Sequence, residues 1–235
     1  MPNSLIYSIV TNNYDHVKPA PKYPGFDFWL FTDQEGLEVE GWEVFQISKS
    51  TNPIKQQRLI KINSCKYTPS YELTIYIDGN MELIRNPIDL LKKHYSGGFM
   101  TTCHPKRSTL VAEGMEIVRK KKDLEQNVAA TLEFARQVGF ADDMGLYETG
   151  VLIRDKSKGV AILEKKWSEL LEEYSHRDQL TLPIALHLTG EEITSIPRSI
   201  TFHYVKMNRG HRISLKFNSG KKGWLSKMIF KFKKR

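Results

Sequence analysis

The sequence contains little cysteine and no long apolar run. Cys65 and Cys103 are the only two cysteines in 235 residues. They lack the CxxC spacing of a zinc site, and two thiols make no disulfide framework. No segment approaches the roughly 20 apolar residues that a membrane-spanning helix needs. No internal repeat or low-complexity linker precedes residue 216, and the 40% hydrophobic fraction supports a sizeable core. A disordered chain and a membrane-embedded body are therefore excluded.

Charge is distributed unevenly along the chain. Lys and Arg number 35 against 27 Asp and Glu, but residues 216–235 hold eight of the bases and no acid. The rest of the chain therefore carries 27 charges of each sign. A nucleic-acid-binding protein concentrates positive charge over its body. The observed distribution argues against nucleic acid as a partner and favours an enzyme with an electrostatic tether.

Hydrophobic periodicity predicts alternating strands and helices. Apolar runs predict strands over residues 4–11, 26–31, 42–47, 73–77, 99–103 and 146–154. Amphipathic segments predict helices over 53–66, 88–95, 113–138, 161–174 and 178–188, the last kinked or split at Pro183. This alternation predicts a single α/β domain over residues 1–215 with a mostly parallel central sheet. Residues 216–235 form a separate basic tail.

A short polar loop, Asp78-Gly79-Asn80, follows the strongest strand signal in the sequence. Polar loops at the carboxyl ends of central strands are where α/β folds place their ligands. Asp78 offers a carboxylate and Asn80 a carbonyl oxygen, and ligands one residue apart can share one divalent cation. The same three residues also make a good turn. Turn and metal loop both remain open at this point.

The upstream segments supply what a nucleotide-diphosphate sugar requires. Thr11, Asn12 and Tyr14 follow the first strand and offer polar and aromatic groups for a base. Lys55 and Arg58 lie on a basic stripe of the next helix and offer cations for phosphate. Most charged stripes on helices simply face the solvent. A solvent-exposed helix face is therefore the alternative interpretation of Lys55 and Arg58.

Four motifs together resemble the GT-A glycosyltransferases. They are YIDGN at 76–80, HPKR at 104–107 with Glu113, YETGVLIR at 147–154 and RDQL at 177–180. More narrowly, the chain resembles the glycosyltransferase-like domain family of bacterial polysaccharide clusters and plant cell-wall proteins, over roughly residues 4–212. The resemblance implies a GT-A-like, Rossmann-like domain and a nucleotide-sugar-dependent, hexosyltransferase-like enzyme.

The resemblance also implies a metal cofactor, Mn²⁺ or Mg²⁺, bound by Asp78 and Asn80. A late histidine completes the metal shell in related enzymes, which points to His203 as a third ligand. Imidazole suits Mn²⁺ well, although a lone histidine is more often structural or exposed. Asn80 departs from the strict DxD motif and lowers the expected metal affinity, because an amide carries no charge.

Three residues are predicted to face the sugars. Glu148 lies beside Thr149-Gly150, where glycine allows close approach of a ligand, and its carboxylate could orient an acceptor hydroxyl or take its proton. A solvated acid is the alternative. Asp178 suits the first turn of a helix, whereas the resemblance to retaining enzymes assigns Asp178 and Gln179 to sugar contact. If the enzyme inverts, Glu148 or Asp178 must be the base.

A second basic group is predicted to bind an acceptor or an anion. His104 and Arg107 lie three residues apart in a loop, and Arg177 precedes Asp178. The planar guanidinium group suits carboxylate and phosphate. A solvated loop is the alternative reading of His104 and Arg107.

The basic tail has helical spacing of apolar residues. Trp224, Leu225, Met228, Ile229 and Phe232 recur at that spacing among lysines. Such a segment predicts binding to an anionic membrane surface through residues 221–235. A disordered tail or a helix packed on a partner is the alternative. Because the N-terminus shows no basic n-region or cleavage site, we expect a cytoplasmic protein, peripheral on the inner face of the membrane.

The sequence thus predicts a glycosyltransferase acting in surface polysaccharide synthesis. It would move a sugar from a nucleotide-diphosphate sugar to a glycan or lipid-linked acceptor with metal assistance. A nucleotidyltransferase would use a similar sheet and metal but attack phosphorus. A non-catalytic sugar-nucleotide-binding or scaffold protein at the membrane is the alternative from outside the enzymes.

Overall fold

A computed structural model describes residues 3–208 of the chain. The strands are β1 (Ser4–Val10), β2 (Phe26–Thr32), β3 (Glu43–Gln46), β4 (Leu73–Ile77), β5 (Met81–Leu83), β6 (Phe99–Cys103), β7 (Tyr147–Asp155), β8 (Thr194–Ile196) and β9 (Val205–Met207). The helices are α1 (Pro53–Ile62), α2 (Ser64–Tyr67), α3 (Ile88–His94), α4 (Leu110–Arg119), α5 (Glu125–Gln137), α6 (Lys158–Glu173), α7 (Asp178–Thr189) and α8 (Arg198–Tyr204). The predicted basic tail, 216–235, lies outside the described residues.

Seven strands form the central sheet in the order β3-β2-β1-β4-β7-β6-β8. Strands β3, β2, β1 and β4 are parallel to one another, as are β6 and β8. Only β7 runs antiparallel to its neighbours, β4 and β6. The strand order reverses direction at β1, which has β2 on one side and β4 on the other. The architecture is α/β and Rossmann-like with a mostly parallel sheet, as the sequence predicts.

Both faces of the sheet are covered. Strands β1 and β4 are buried along their whole length, which explains their uninterrupted apolar sequences. Successive side chains point to opposite faces, so Leu5, Tyr7 and Ile9 pack against one core and Ile6 against another. The larger core holds the buried residues of α4, α5, α6 and α7.

Helix α1 is shorter than the sequence suggests. Asn52 caps it by accepting a hydrogen bond from the Lys55 amide at 3.1 Å, and Pro53 opens its first turn. The prediction of one helix over 53–66 is wrong, because the chain breaks at Asn63 before the short α2. The Asn63 side chain donates to the carbonyl of Leu59 at 2.8 Å, competing with a continued helix.

The predicted helix over 113–138 is also wrong as a single element. Thr109 caps α4 by accepting from the Ala112 amide, so the helix begins earlier than predicted. The chain then turns between α4 and α5, where Lys121 adopts a left-handed backbone with φ of 54°. The amide of Lys122 bonds back to the Ile117 carbonyl at 2.9 Å. This turn places Lys120 and Lys122 beside the carboxyl end of the sheet.

Helix α7 runs without interruption through Pro183. The sequence predicts a kink or split there, and the split does not occur. The helix interior is buried on the sheet, so tertiary packing outweighs the loss of one backbone donor. It ends at Gly190, whose φ of 67° is the left-handed conformation that closes many helices.

Four short elements were not predicted. Strands β5 and β9 pair antiparallel as a separate ribbon, β8 joins the sheet edge, and α8 precedes β9. Each has seven or fewer residues, too few for hydrophobic periodicity to show. Among residues 3–208 no helix is long and apolar enough to cross a membrane.

A fully buried arginine ties α1 to the sheet. Arg154 on β7 donates to the carbonyls of Ile62 at 2.8 Å and Lys61 at 2.9 Å, at the end of α1. It also pairs with Glu164 at 3.0 Å and bonds the Tyr7 hydroxyl. Orphan carbonyls at a helix end need such donors. Arg154 therefore fixes the last turn of α1, including Lys61.

We expect Arg154→Met to lower the free energy of unfolding by about 3–5 kcal/mol, because it leaves the Glu164 carboxylate buried without its charge partner. Urea unfolding followed by circular dichroism measures the change. The double variant Arg154→Met/Glu164→Gln is expected to recover part of the loss, since it removes the uncompensated charge. A cost below about 1 kcal/mol for the single variant would contradict this structural role.

Candidate functional site

A cavity of about 620 Å³ opens at the carboxyl ends of β1 and β4. Its walls are the loop after β1, the exposed face of α1, the loop after β4, the turn between α4 and α5, and the start of α7. Open α/β sheets bind ligands outside the carboxyl ends of the strands, where the strand order reverses. The cavity occupies that position, between β1 and β4.

The loop Asp78-Gly79-Asn80 is both a turn and a wall of this cavity. The Met81 amide donates to the Asp78 carbonyl at 2.8 Å, which closes the turn. All three loop residues line the cavity. A Cβ atom at Gly79 would lie 2.6 Å from Val10 Cγ2, so the loop packs against the end of β1 closely enough to require glycine. The two readings left open by the sequence are therefore compatible.

The Asp78 carboxylate is held in place by two side chains. The Tyr76 hydroxyl donates to Asp78 Oδ1 at 2.8 Å, and Gln57 of α1 donates to the Tyr76 hydroxyl at 2.8 Å. Lys61 Nζ lies 3.4 Å from the same oxygen. The side chain of Asp78 remains 30% exposed, so its carboxylate faces the cavity from a fixed position.

Lys61 lies between two carboxylates. Its ammonium group is 2.5 Å from Asp178 Oδ2 and 3.4 Å from Asp78 Oδ1. Thr149 donates to Asp178 Oδ2 at 2.9 Å, and Arg58 NH1 lies 3.6 Å from that atom. The Lys61 and Asp178 side chains are only 1% and 2% exposed. This network joins α1, β4, β7 and α7 directly beneath the cavity.

The network fixes the charge state of Asp178. Burial by itself raises the pKa of Asp178, but the cations of Arg58 and Lys61 outweigh it and hold that pKa well below the ordinary value. Burial lowers the pKa of Lys61, and the two carboxylates oppose the change. Asp178 is therefore a carboxylate at neutral pH and a poor proton acceptor.

Cations outnumber acids around the cavity. Its charged lining consists of Arg58, Lys61, Lys120, Lys122 and Arg177 against Asp15, Asp78 and Asp178. Burial and the neighbouring cation Arg58 lower the pKa of Arg177, and burial with Arg177 and Lys120 nearby lowers the pKa of Lys122. Such crowding of like charges favours binding of an anion.

Two of these cations have unused donors. The Nε atoms of Arg58 and Arg177 are buried and have no hydrogen-bond partner within residues 3–208. A buried donor without a partner is costly. Both residues line the cavity, but these two Nε atoms are themselves buried from it.

A buried hydrogen-bond network supports the turn that carries Lys120 and Lys122. Asp123 accepts from the Ser175 hydroxyl at 2.6 Å and lies 3.3 Å from His176 Nδ1. His176 Nε2 is 3.2 Å from the carbonyl of Lys122. The turn is thus attached to the segment just before α7, and the two lysines keep a fixed relation to Arg177.

The residues predicted for the base lie together at one end of the cavity. Thr11, Asn12 and Tyr14 all line it. The Asn12 amide donates to Asp33 Oδ1 at 2.8 Å, and Asn12 has φ of 54°, so this loop turns sharply after β1. The Thr11 hydroxyl donates to the Pro53 carbonyl at 2.9 Å, which joins the loop to the start of α1.

Several predicted residues lie outside the cavity lining. Lys55 points away from it, because its ammonium group donates to the Glu172 carbonyl at the end of α6, at 2.9 Å. Glu148 precedes two lining residues but pairs with Arg198 at 3.1 Å. Burial raises the pKa of Glu148 and Arg198 opposes the change.

The second basic group is internally paired. Arg107 bonds the buried carboxylate of Glu113, and its backbone amide donates to His104 Nδ1 at 2.9 Å. His104 Nε2 lies 3.8 Å from Glu113. Neither His104 nor Arg107 lines the cavity, whereas Arg177, predicted with them, does.

The predicted metal ligands are only partly brought together. Asp78 and Asn80 share the cavity, but His203 is an exposed residue of α8 and is not among the lining residues. Residues 3–208 contain no group of three His, Cys, Asp or Glu side chains arranged to hold a metal. Asn80 adds no charge, and the Lys61 ammonium already lies against Asp78. This donor set does not fit a dedicated divalent cation site, and no step below relies on a metal.

Sequence reasoning missed several residues of the site. Lys61, Lys120, Lys122 and Asp15 line the cavity but are not among the site residues that the sequence predicts. The period of α1 does carry a signal, because Gln57, Arg58 and Lys61 are spaced by one and three residues and share a face. Lys122 carries no comparable signal, because the sequence predicts a helix over 113–138 where the structure has a turn.

The fold and the site define an α/β domain with a cation-lined cavity at a topological switch point. The sequence matches the TOD1/MUCI70 glycosyltransferase-like domain family over residues 31–201. The chain therefore belongs to this family, which confirms the resemblance. No curated protein matches the sequence.

Protonation of Asp178 should remove stability. A carboxyl with a depressed native pKa stabilises the fold above the pKa of the unfolded chain, about 3.9, and that stability is lost as the pH falls below it. We expect Asp178→Asn to be less stable than wild type by about 3–5 kcal/mol at pH 7, because Lys61 loses its partner.

This difference should narrow as the pH falls from about 4 toward about 2, because the unfolded wild-type chain then takes up a proton on Asp178 while the native carboxylate stays charged. Urea unfolding of both proteins across that range measures it. A difference that stays constant with pH would contradict the assignment of the ion pair.

Proposed function

We propose that the protein is a glycosyltransferase that moves a sugar from a nucleotide-diphosphate sugar to a glycan or lipid-linked acceptor in surface polysaccharide synthesis. The observation that carries the proposal is the cavity at the carboxyl ends of β1 and β4, with its excess of cations and fixed Asp78. Family membership supports glycosyl transfer; the nucleotide sugar and the acceptor are inferred from the cavity's chemistry and the sequence.

The cavity suggests an orientation for the donor. The base would bind near Asn12 and Tyr14, where a half-buried aromatic ring and polar groups meet. The diphosphate would bind along Arg58, Lys122 and Arg177, whose charges offset its own. The sugar would then lie toward the start of α7. The Asn12 backbone, Arg58 and the backbone of Lys122 are held by contacts that exist before the donor binds, which favours preorganised binding.

In the reaction, the bond between the sugar carbon and the diphosphate oxygen breaks and a bond to an acceptor hydroxyl oxygen forms. Negative charge develops on the departing diphosphate, where fixed cations stabilise it most effectively. Asp178 would position Lys61 and Thr149 rather than accept a proton, because its pKa is depressed. Gln179 lines the cavity beside it and remains available to the sugar.

The acceptor proton needs another destination. Glu148 is the better proton acceptor if the reaction inverts the sugar, since burial raises its pKa. It must first separate from Arg198, whose side chain is 40% exposed. Retention, which the resemblance implies, would need no such base, because the departing diphosphate oxygen would take the proton of the acceptor hydroxyl.

Arg58→Ala and Lys55→Ala form a matched pair for testing the donor site. Both remove one cation from α1, but only Arg58 faces the cavity. We expect Arg58→Ala to slow release of nucleoside diphosphate from the preferred sugar nucleotide by about 10- to 100-fold, because a charged hydrogen bond is lost. Lys55→Ala should change the rate less than twofold.

The assay uses the full chain with a panel of UDP-, GDP-, ADP- and dTDP-sugars, and chromatography of the nucleotide products. Free nucleoside diphosphate supports glycosyl transfer. Pyrophosphate would instead indicate a nucleotidyltransferase, and binding without any product would indicate a sugar-nucleotide-binding scaffold. Equal effects of the two substitutions would contradict the assigned donor site.

We also propose that the basic tail binds an anionic membrane surface, which would place the enzyme at the inner face of the membrane near lipid-linked acceptors. This proposal rests on the composition of residues 216–235, which lie outside the described part of the chain. Each base near such a surface contributes about 1 kcal/mol.

We expect the full chain to cosediment with anionic vesicles that contain about 30% phosphatidylglycerol. It should not cosediment with neutral vesicles of pure phosphatidylcholine. Replacing the five lysines at 221, 222, 227, 231 and 233 by glutamine should abolish cosedimentation. Retained binding by that variant would contradict the electrostatic tether.

A further inference from the structure

The Lys61 ammonium group faces Asp78, where the sequence predicts a metal ion. It lies 3.4 Å from Asp78 Oδ1 and 2.5 Å from Asp178 Oδ2, and it sits 4.9 Å from the centre of the Tyr76 ring. The side chain is 1% exposed. It is therefore a permanent part of the cavity floor and cannot swing into solvent to make room for another cation.

The other contacts of the Asp78 carboxylate also leave its oxygens little room to coordinate a metal ion. Oδ1 already accepts from the Tyr76 hydroxyl at 2.8 Å, and Oδ2 faces Gly150, where an added Cβ would lie 3.2 Å away. The second loop ligand, Asn80, is neutral. A divalent cation bound by this carboxylate would be repelled by the adjacent ammonium.

The protein itself supplies the charge that a metal would bring. Five cationic side chains line the cavity against three carboxylates, an excess of two positive charges. Each phosphate of a nucleotide sugar carries about one negative charge. Lys120 already pairs with Glu116 at 2.8 Å, so Arg58, Lys122 and Arg177 supply the attraction.

We propose that this site binds the diphosphate without a divalent metal, with Lys61 serving as the fixed cation at Asp78 and Arg58, Lys122 and Arg177 contacting the phosphates. The proposal rests on the proposed function, since it names how the same donor site neutralises its ligand. Lys61 is a positioning residue here, because it contacts the two carboxylates rather than the diphosphate.

The test is calorimetric titration of the full chain with UDP, GDP, ADP and dTDP, each in EDTA and in Mn²⁺. We expect one nucleotide to bind with dissociation constants that agree within about threefold in the two conditions, because protein cations supply the attraction. Binding that requires Mn²⁺ would overturn the proposal and leave the proposed function standing. No binding of any nucleotide in either condition would overturn both.

Two variants separate the fixed cation from a metal site. Asp78→Asn removes a negative charge that faces the diphosphate, so it should tighten nucleotide binding by about threefold in EDTA. A metal ligand would behave in the opposite way, and a loss of tenfold or more would refute the proposal.

Lys61→Met should weaken nucleotide binding in EDTA by at least tenfold, because it leaves two carboxylates facing the diphosphate without their partner. Mn²⁺ should then restore part of the affinity, since the carboxylates become free to bind it. Thermal unfolding identifies any loss of fold in this variant. Full affinity in folded Lys61→Met would show that Lys61 is not the fixed cation.

Discussion

The ion pair between Lys61 and Asp178 joins parts of the protein that lie far apart in the sequence. It connects α1 to the first residue of α7, and through Asp78 and Thr149 it reaches the ends of β4 and β7. Removing two charges from water is costly and is offset only by close geometry and further hydrogen bonds. Arg154 helps to hold this arrangement, because it donates hydrogen bonds to the last turn of α1. The floor of the cavity thus depends on a few buried charges in a definite arrangement.

The rest of the site follows from this floor. With Asp178 neutralised by Lys61 and Arg58, the cations above it at Lys122 and Arg177 have too few acidic partners, and burial with Arg177 nearby lowers the pKa of Lys122, while burial with Arg58 nearby lowers the pKa of Arg177. A protein optimised only for stability would place carboxylates among them. The crowding of these cations instead favours an anionic ligand. The turn between α4 and α5 keeps Lys122 close to Arg177.

Local sequence signals predicted the parts of the fold that depend on local properties. The buried runs of β1 and β4 and the start of α1 at Pro53 were visible, because burial and the preference of proline for a first helical turn leave a mark within a few residues. The breaks at Asn63 and Lys121 were missed, since distant segments help to hold each of them. Arg154 of β7 bonds the carbonyls of Lys61 and Ile62, and His176 lies 3.2 Å from the carbonyl of Lys122. The ribbon of β5 and β9 was missed for the same reason, because its strands lie more than 100 residues apart in sequence.

By itself, the sequence determined an α/β domain, a polar loop after its central strand and the family resemblance carried by four motifs. Only the tertiary structure decided which charges meet in the cavity. Lys55 and Arg58 look alike on the stripe of α1, yet one bonds a distant helix end and the other faces the cavity. Lys61 meets Asp178 across 117 positions. Helical period assigns a residue to a face, but what that face contacts is set by packing between distant segments, which no local pattern records.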